Sequence, residues 1–230
     1  MSIVSAQIQI EGRRPLLWHH FGADALPLEK RPKTGVAGND PEEWKRSVLA
    51  TPSGQLYLEP AYIFGCLRDG AKYTSRRRGT LQPILASTLE IEDRQVLIDR
   101  WLPEKLEPLQ NETQLVYLDV RSVRNPSTRA RNVRYRVAAA PGWKASFTIQ
   151  WENTLVSENE MQAVLRDAGQ FVGLGDGRSV GLGRFNVQSF VMRNHAQTPT
   201  TAGDLAAHPA AHLAAGRKKM RKMRHAPAAR

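Results

Sequence analysis

The chain is short of cysteine, of acidic residues and of long apolar runs, and each shortage excludes something. Its single cysteine, Cys66, has no partner for an internal disulfide. No neighbour in sequence is suited to activate a thiolate there, so Cys66 reads as a small buried hydrophobe. No apolar stretch approaches the roughly 20 residues of a membrane span, and the first residues lack the basic-then-apolar order of a secretory leader. A reducing, cytoplasmic setting with no membrane partner is expected. No glycine run ends in Gly-Lys-Ser/Thr, which excludes the phosphate loop of a nucleotide triphosphatase.

The deficit of acidic residues leaves 33 Lys and Arg against 22 Asp and Glu in 230 residues, a formal charge of +11. Such a balance points to an acidic partner. The charge is uneven, because between Met192 and Arg230 eight Lys and Arg residues face Asp204 alone. That segment, 192–230, is rich in alanine, threonine and proline and ends in a basic run at 217–224. It is expected to lack a core, with at most a short alanine-rich helix, and to bind phosphate without sequence preference. His208 and His212 within it are spaced for one helix face, but with no third ligand nearby they make no metal site.

Residues 1–191 are long enough for one core carrying insertions. Residues 3–10 alternate, with Val4, Ala6, Ile8 and Ile10 on one side, as a half-buried strand does. Residues 12–54 carry repeated Pro and Gly with no sustained period and read as an inserted loop region. Pro60 opens a helix with Ile63, Phe64, Leu67 and Ala71 on one face. Its far end runs into Arg76-Arg77-Arg78-Gly79, which suits an ordinary helix terminus and is also a candidate phosphate contact.

Between 81 and 110 the pattern is weak, although 88–91 and 95–98 fit a hairpin turned at Glu92-Asp93-Arg94. Residues 115–123 and 133–139 are strand-like, joined by a turn-rich tip, and 144–151 make another strand. Ser157 and Glu160 form a capping-box pattern ahead of Met161, Val164, Leu165 and Ala168 at helical spacing. Residues 184–191 alternate as a last strand. Setting aside insertions at about 12–55 and 76–113, and taking two of the three strands between the helices as major, the elements run strand, helix, two strands, helix, strand. This is the α+β, ferredoxin-like βαββαβ order, with a sheet face left open in the manner of RNA-recognition modules.

Two features in this frame suggest chemistry. The first is a doublet of Gly-Leu-Gly steps holding Gly173, Gly175, Gly177, Arg178, Gly181 and Gly183. Closely spaced glycines make ordinary turns; they also let a backbone aim its N–H groups into an anion-binding concavity. The second is the strand pair bearing Arg121, Arg124, Arg129, Arg131, Arg134 and Arg136. Arg134 and Arg136 share the face opposite Val133, Tyr135 and Val137, so they point outward if the valines are core. Arginine suits phosphates and stacks on bases, although on an exposed strand it also protects an edge.

The glycine doublet, together with the strand-to-helix segment Gly54-Gln55-Leu56-Tyr57-Leu58-Glu59-Pro60 and its continuation to Arg68, resembles the RAMP superfamily of CRISPR-associated proteins. Glu59-Pro60-Ala61-Tyr62 departs from that family's usual proline, glycine and small hydroxyl residues. The resemblance implies binding of guide RNA or another single strand, with the glycine loop at the phosphate backbone and other effector subunits, or copies of the chain along the strand, as partners. No cofactor or metal is implied.

The same superfamily suggests a metal-independent endoribonuclease, for which His19 or His20 is the candidate general acid or base; beside Trp18 and Phe21 the pair also fits simple packing. A metal-dependent variant would draw on Asp24 or Asp40, and a lone carboxylate is a weak signal for one. The chain is similar as well to small phage-borne proteins with such a loop, which leaves single-stranded DNA binding as a further alternative.

Overall fold

Alternation sets the central strand. In β1 (Ile3–Gly12), Ala6, Ile8 and Ile10 are buried and Gln7 and Gln9 face solvent. The computed structural model, which describes residues 2–22, 40–76, 78–124, 129 and 131–193, pairs β1 antiparallel with β8 (Lys144–Glu152) on one side and β9 (Phe185–Arg193) on the other. Beyond β8 come β5 (Val96–Trp101) and β3 (Gln55–Leu58), giving the order β3-β5-β8-β1-β9.

Two helices cover one face. Pro60 stands at the start of α2 (Pro60–Gly70), which buries Ile63, Cys66 and Leu67. In α4 (Glu158–Asp167) the capping box at Ser157 and Glu160 is formed, and Met161, Val164 and Leu165 are buried. These side chains meet Ile8, Ile10, Phe147, Ile149 and Trp151 in one core. Taken as β1-α2-β5-β8-α4-β9, with strand order β5-β8-β1-β9, the molecule has the ferredoxin-like arrangement. Cys66 is a core residue, and burial pushes its thiol up to about 12. Among the described residues no helix is long and apolar enough to cross a membrane.

The strands that fill this arrangement differ from those expected. Residues 76–113, read as an insertion, supply the core strand β5. The arginine-bearing pair, β6 (Val116–Arg124) and β7 (Arg131–Ala139), is the insertion, and it forms a separate sheet with β2 (Leu16–Leu17) in the order β2-β7-β6. Alternation reports that a strand has a buried face, not which sheet it joins; Val116, Val137 and Ala139 do reach the main core.

The expected hairpin at 88–98 is also corrected. β4 (Glu90–Ile91) pairs with Gln150 and Ile149, and β5 pairs with Ala145 of the same strand, so the two lie end to end along one edge of β8. Ahead of them α3 (Gln82–Thr88) follows buried Leu81, carries buried Leu85 and ends before buried Leu89. That spacing of four, with Pro83 in the first turn, is a helical signal the weak overall pattern obscured.

Helix α2 ends at Gly70, short of the arginine triplet, and a 3-10 turn follows over Ala71–Tyr73. Arg76 and Gly79 instead close a tight turn, with the Arg76 N–H donating to the Gly79 carbonyl at 3.1 Å. The inserted region after β1 contains β2 and α1 (Glu43–Ser47). Strand β9 runs on to Arg193, two residues past the expected boundary. Asp24, Arg77, His208, His212 and the tail from 194 onward lie outside the described residues.

Candidate nucleic-acid interface

The glycine-rich loop lies between a π-turn, Ala168–Val172, and β9. It closes on itself, with the Leu174 N–H donating to the Gly183 carbonyl at 3.0 Å and that of Leu182 to Gly177 at 3.2 Å. It also docks on the β2 segment, where the amides of Gly183 and Asp176 donate to the carbonyls of Pro15 and Leu17. Glycine is required for this approach: at Gly175, with φ +69°, a Cβ would stand 2.5 Å from the Leu17 oxygen, and at Gly183 it would overlap the Leu174 oxygen.

The expected row of N–H groups facing an anion is therefore mostly absent. The amides of Gly173, Leu174, Asp176, Val180, Gly181, Leu182 and Gly183 are all taken by carbonyls of the protein. Those of Gly175, Arg178 and Ser179 have no backbone acceptor among the described residues, and that of Gly177 goes to the Asp176 side chain.

The arginine hairpin packs one face against this loop. Directly opposed residues share a face, which groups Tyr117 with Ala138, Asp119 with Arg136 and Arg121 with Arg134. Tyr117 and Ala138 join Leu17 and Leu182 in a second small apolar cluster. Beside it Arg136 is only 5% exposed. Its Nη2 donates to Asp119 at 3.1 Å and its Nη1 to Asp176 at 2.5 Å.

Arg136 thus does not point outward as alternation suggested, because at the base of the hairpin both faces are covered, one by the core and the other by the loop. Burial alone would push the Asp176 carboxyl up; the hydrogen bonds from Arg136 and the Gly177 amide, with the charges of Arg136 and His19, outweigh it and hold the group below the usual carboxylate range.

Arg134 pairs with Glu43 of α1, whose other oxygen accepts from the Tyr135 N–H at 3.2 Å. Glu43 also lies 3.3 Å from His19 Nε2. Arg121 donates to Asp119 at 2.6 Å. Across from the hairpin, Arg178 stands 3.9 Å from Asp69, which Arg68 and Lys72 also contact. Burial pushes the Asp69 carboxyl up, and the hydrogen bonds and charges of Lys72 and Arg68 bring it below its ordinary value.

Between loop, hairpin and the end of α2 runs a cleft of about 920 Å³. Of the residues singled out from sequence it gathers Gly175, Gly177, Arg178, Arg121, Arg124, Arg134, Arg136 and His19. Six cationic side chains line it against two carboxylates, Asp69 and Asp176.

The other candidates lie elsewhere. Gly173, Gly181 and Gly183 do not line the cleft. Arg129 and Arg131 are exposed near the hairpin tip, and Arg78 is exposed on its turn. Arg76 is held by Glu160 at 2.8 Å and by the Leu155 carbonyl at 2.7 Å. His20 faces Tyr62 at 3.4 Å and Glu59 at 3.7 Å, in a small cavity with Asp40, which pairs with Arg46.

Sequence reasoning missed the cleft's aromatic residues, Tyr73 and Phe171, and the carboxylates that hold its arginines. Arg134 meets Glu43 across 91 residues of chain and Arg178 meets Asp69 across 109, so no local pattern announces these pairings. The open sheet face is a weaker electrostatic match to a polyanion than the cleft: its cavity of about 530 Å³ sets Glu11 and Asp99 against Lys144 alone.

No family model and no curated protein matches the sequence. Among solved structures the chain is similar, at 14% identity and a TM-score of 0.47, to a chain in a cryo-EM structure of the Type III-B Cmr-beta bound to cognate target RNA. The similarity covers 83% of this chain and 60% of that one, less than two thirds of the neighbour's length.

Proposed function

We propose that the chain binds single-stranded nucleic acid in this cleft, and that it does so as a guide-RNA-binding subunit of a CRISPR-type ribonucleoprotein. The observation that carries the binding is the convergence of two features far apart in sequence, the arginine hairpin and the glycine-rich loop, on opposite walls of one basic cleft. The resemblance of the loop and of residues 54–68 to the RAMP superfamily supports RNA and the effector setting.

The cations divide by burial. Arg136 and Arg134 hold hairpin, loop and α1 together. Arg121 and Arg178 each have a side chain 45% exposed; the Arg178–Asp69 pair is a surface ion pair worth about 0–1 kcal/mol, and buried Asp119 keeps Arg136 as its partner when Arg121 turns to a phosphate. Arg124 lines the cleft, with Arg129 and Arg131 beyond it on the arm.

The test is binding of a labelled single-stranded RNA across a salt series. The slope of log K against log salt is expected to be about −0.7 per phosphate contacted, and to flatten in an Arg121→Gln, Arg124→Gln, Arg178→Gln variant. Binding without salt dependence, or unchanged in that variant, sinks the reading. Competition with a matched DNA strand separates RNA from DNA as the ligand.

A second reading, RNA cleavage, is favoured by one observation: His19, not His20, lines the cleft, with Glu43 at its Nε2. In that reaction His19 takes the proton of a 2′-hydroxyl as its oxygen attacks the adjacent phosphorus. The 5′-oxygen leaves taking a proton from water, giving a 2′,3′-cyclic phosphate and a 5′-hydroxyl, and His19 returns its proton to solvent. Cyclic-phosphate products formed in chelator and lost in His19→Ala support it; RNA left intact by the wild type removes it.

A further inference from the structure

We infer that Tyr73 and Phe171 form a base-stacking platform in the cleft, so that one nucleotide of the bound strand lays its base on these rings beside the cations that take its phosphates. The inference rests on the proposed nucleic-acid binding and adds to it a subsite for the base.

Among the described residues four aromatic rings are well exposed, Phe21, Tyr73, Trp101 and Phe171, and of these only Tyr73 and Phe171 line the cleft. Trp18, Trp143, Trp151 and Phe147 are buried, whereas Tyr73 is 55% and Phe171 46% exposed. Their ring centroids are 4.9 Å apart, with the planes tilted by 47°. They come from segments 98 positions apart, so their meeting is a product of the fold.

Local geometry accounts for their placement. Gly70 packs on Ala168, where a Cβ would stand only 2.7 Å from that of the alanine. This brings the end of α2 against the turn that follows α4. The 3-10 turn after α2 ends on Tyr73. The π-turn after α4 carries Phe171; π-turns shift the register of side chains around a helix and are frequent at functional sites. Val180, also exposed, extends the apolar surface from the glycine-rich loop.

The occupant follows from what surrounds the rings. Lys72 and Arg178 line the cleft with them, and Arg121 and Arg124 line it from the hairpin. An apolar face within a basic cleft matches a ligand that is flat and apolar in one part and anionic in another. A nucleotide of a single strand has that form: every base presents a π-face, and stacking tolerates sequence while the backbone is held by charge. The cleft's volume lies within the about 300–1,000 Å³ typical of ligand sites.

The experiment uses the full chain and a single-stranded RNA in which one position at a time carries an abasic ribose. Wild-type protein is expected to lose about 5- to 100-fold in affinity when the stacked position is abasic. A Tyr73→Ala, Phe171→Ala variant should lose as much on the intact RNA, lose nothing further on the abasic one, and keep the wild-type salt slope. The single variant Phe171→Leu, which keeps an apolar contact with Tyr73, should show a reduced abasic penalty and serves if the double variant misfolds.

An abasic penalty equally large in wild type and variants, or no penalty at any position, overturns the platform. If the Arg121, Arg124, Arg178 variant loses affinity while the aromatic variants do not, the stacking inference fails and the nucleic-acid reading stands. If the charge variant binds as the wild type does, both fall.

Discussion

Arg136 joins the two walls of the cleft, one guanidinium shared between Asp119 of its own hairpin and Asp176 of the loop. With Asp119 also only 5% exposed, removing the cation leaves a buried carboxylate compensated only by the half-exposed Arg121. Arg136→Ala is expected to lower stability by about 3–5 kcal/mol, read as a shift in the urea midpoint, and to loosen the cleft. Asp176 gives the same contact a pH dependence. Its folded carboxyl lies below its unfolded value, near 3.9, so its contribution is complete above that pH and is lost as pH falls through the lower, folded value. The stability difference between wild type and Asp176→Asn should therefore be constant from pH 7 to about 5 and shrink below about pH 4, as a denaturation series at each pH will show.

The glycine-rich loop, as an element, is a packed lobe before it is a binding surface. Its glycines are not equivalent. Gly183→Ala sets a methyl into the Leu174 carbonyl and is expected to cost more than about 2 kcal/mol. Gly181, at φ +82° with open space around it, should tolerate alanine for about 1–2 kcal/mol, the cost of the left-handed backbone alone. Thermal unfolding of the two variants will separate these roles. The other elements differ in how openly the sequence declared them. The capping box of α4, the proline that opens α2 and the alternation of β1 depend on residues within a few positions of each other, and each is legible. Helix α3 is short and its leucine spacing is diluted by its surroundings. The arginine hairpin was legible as two strands but not as an insertion, since its buried valines look like those of any core strand.

For the whole molecule, β9 is the strand that completes the sheet beside β1, and it ends at Arg193. A chain ending there should keep the melting temperature of the full protein while losing affinity and salt slope for nucleic acid, because eight cationic residues, less Arg193, leave with the tail. A chain ending at Arg184 lacks β9 and should not fold; circular dichroism and binding measured on both will distinguish fold from charge. The sequence by itself determined the ferredoxin-like order, the helix caps, the buried cysteine and the excess of positive charge, all set by composition or by neighbours along the chain. Only the tertiary structure decided which strands share a sheet, that Arg76, Arg134 and Arg136 are bound by Glu160, Glu43 and Asp176, and that Tyr73 meets Phe171. A formal charge belongs to the residue, whereas its availability to a phosphate depends on the carboxylate and the burial that folding brings to it from a distant part of the chain.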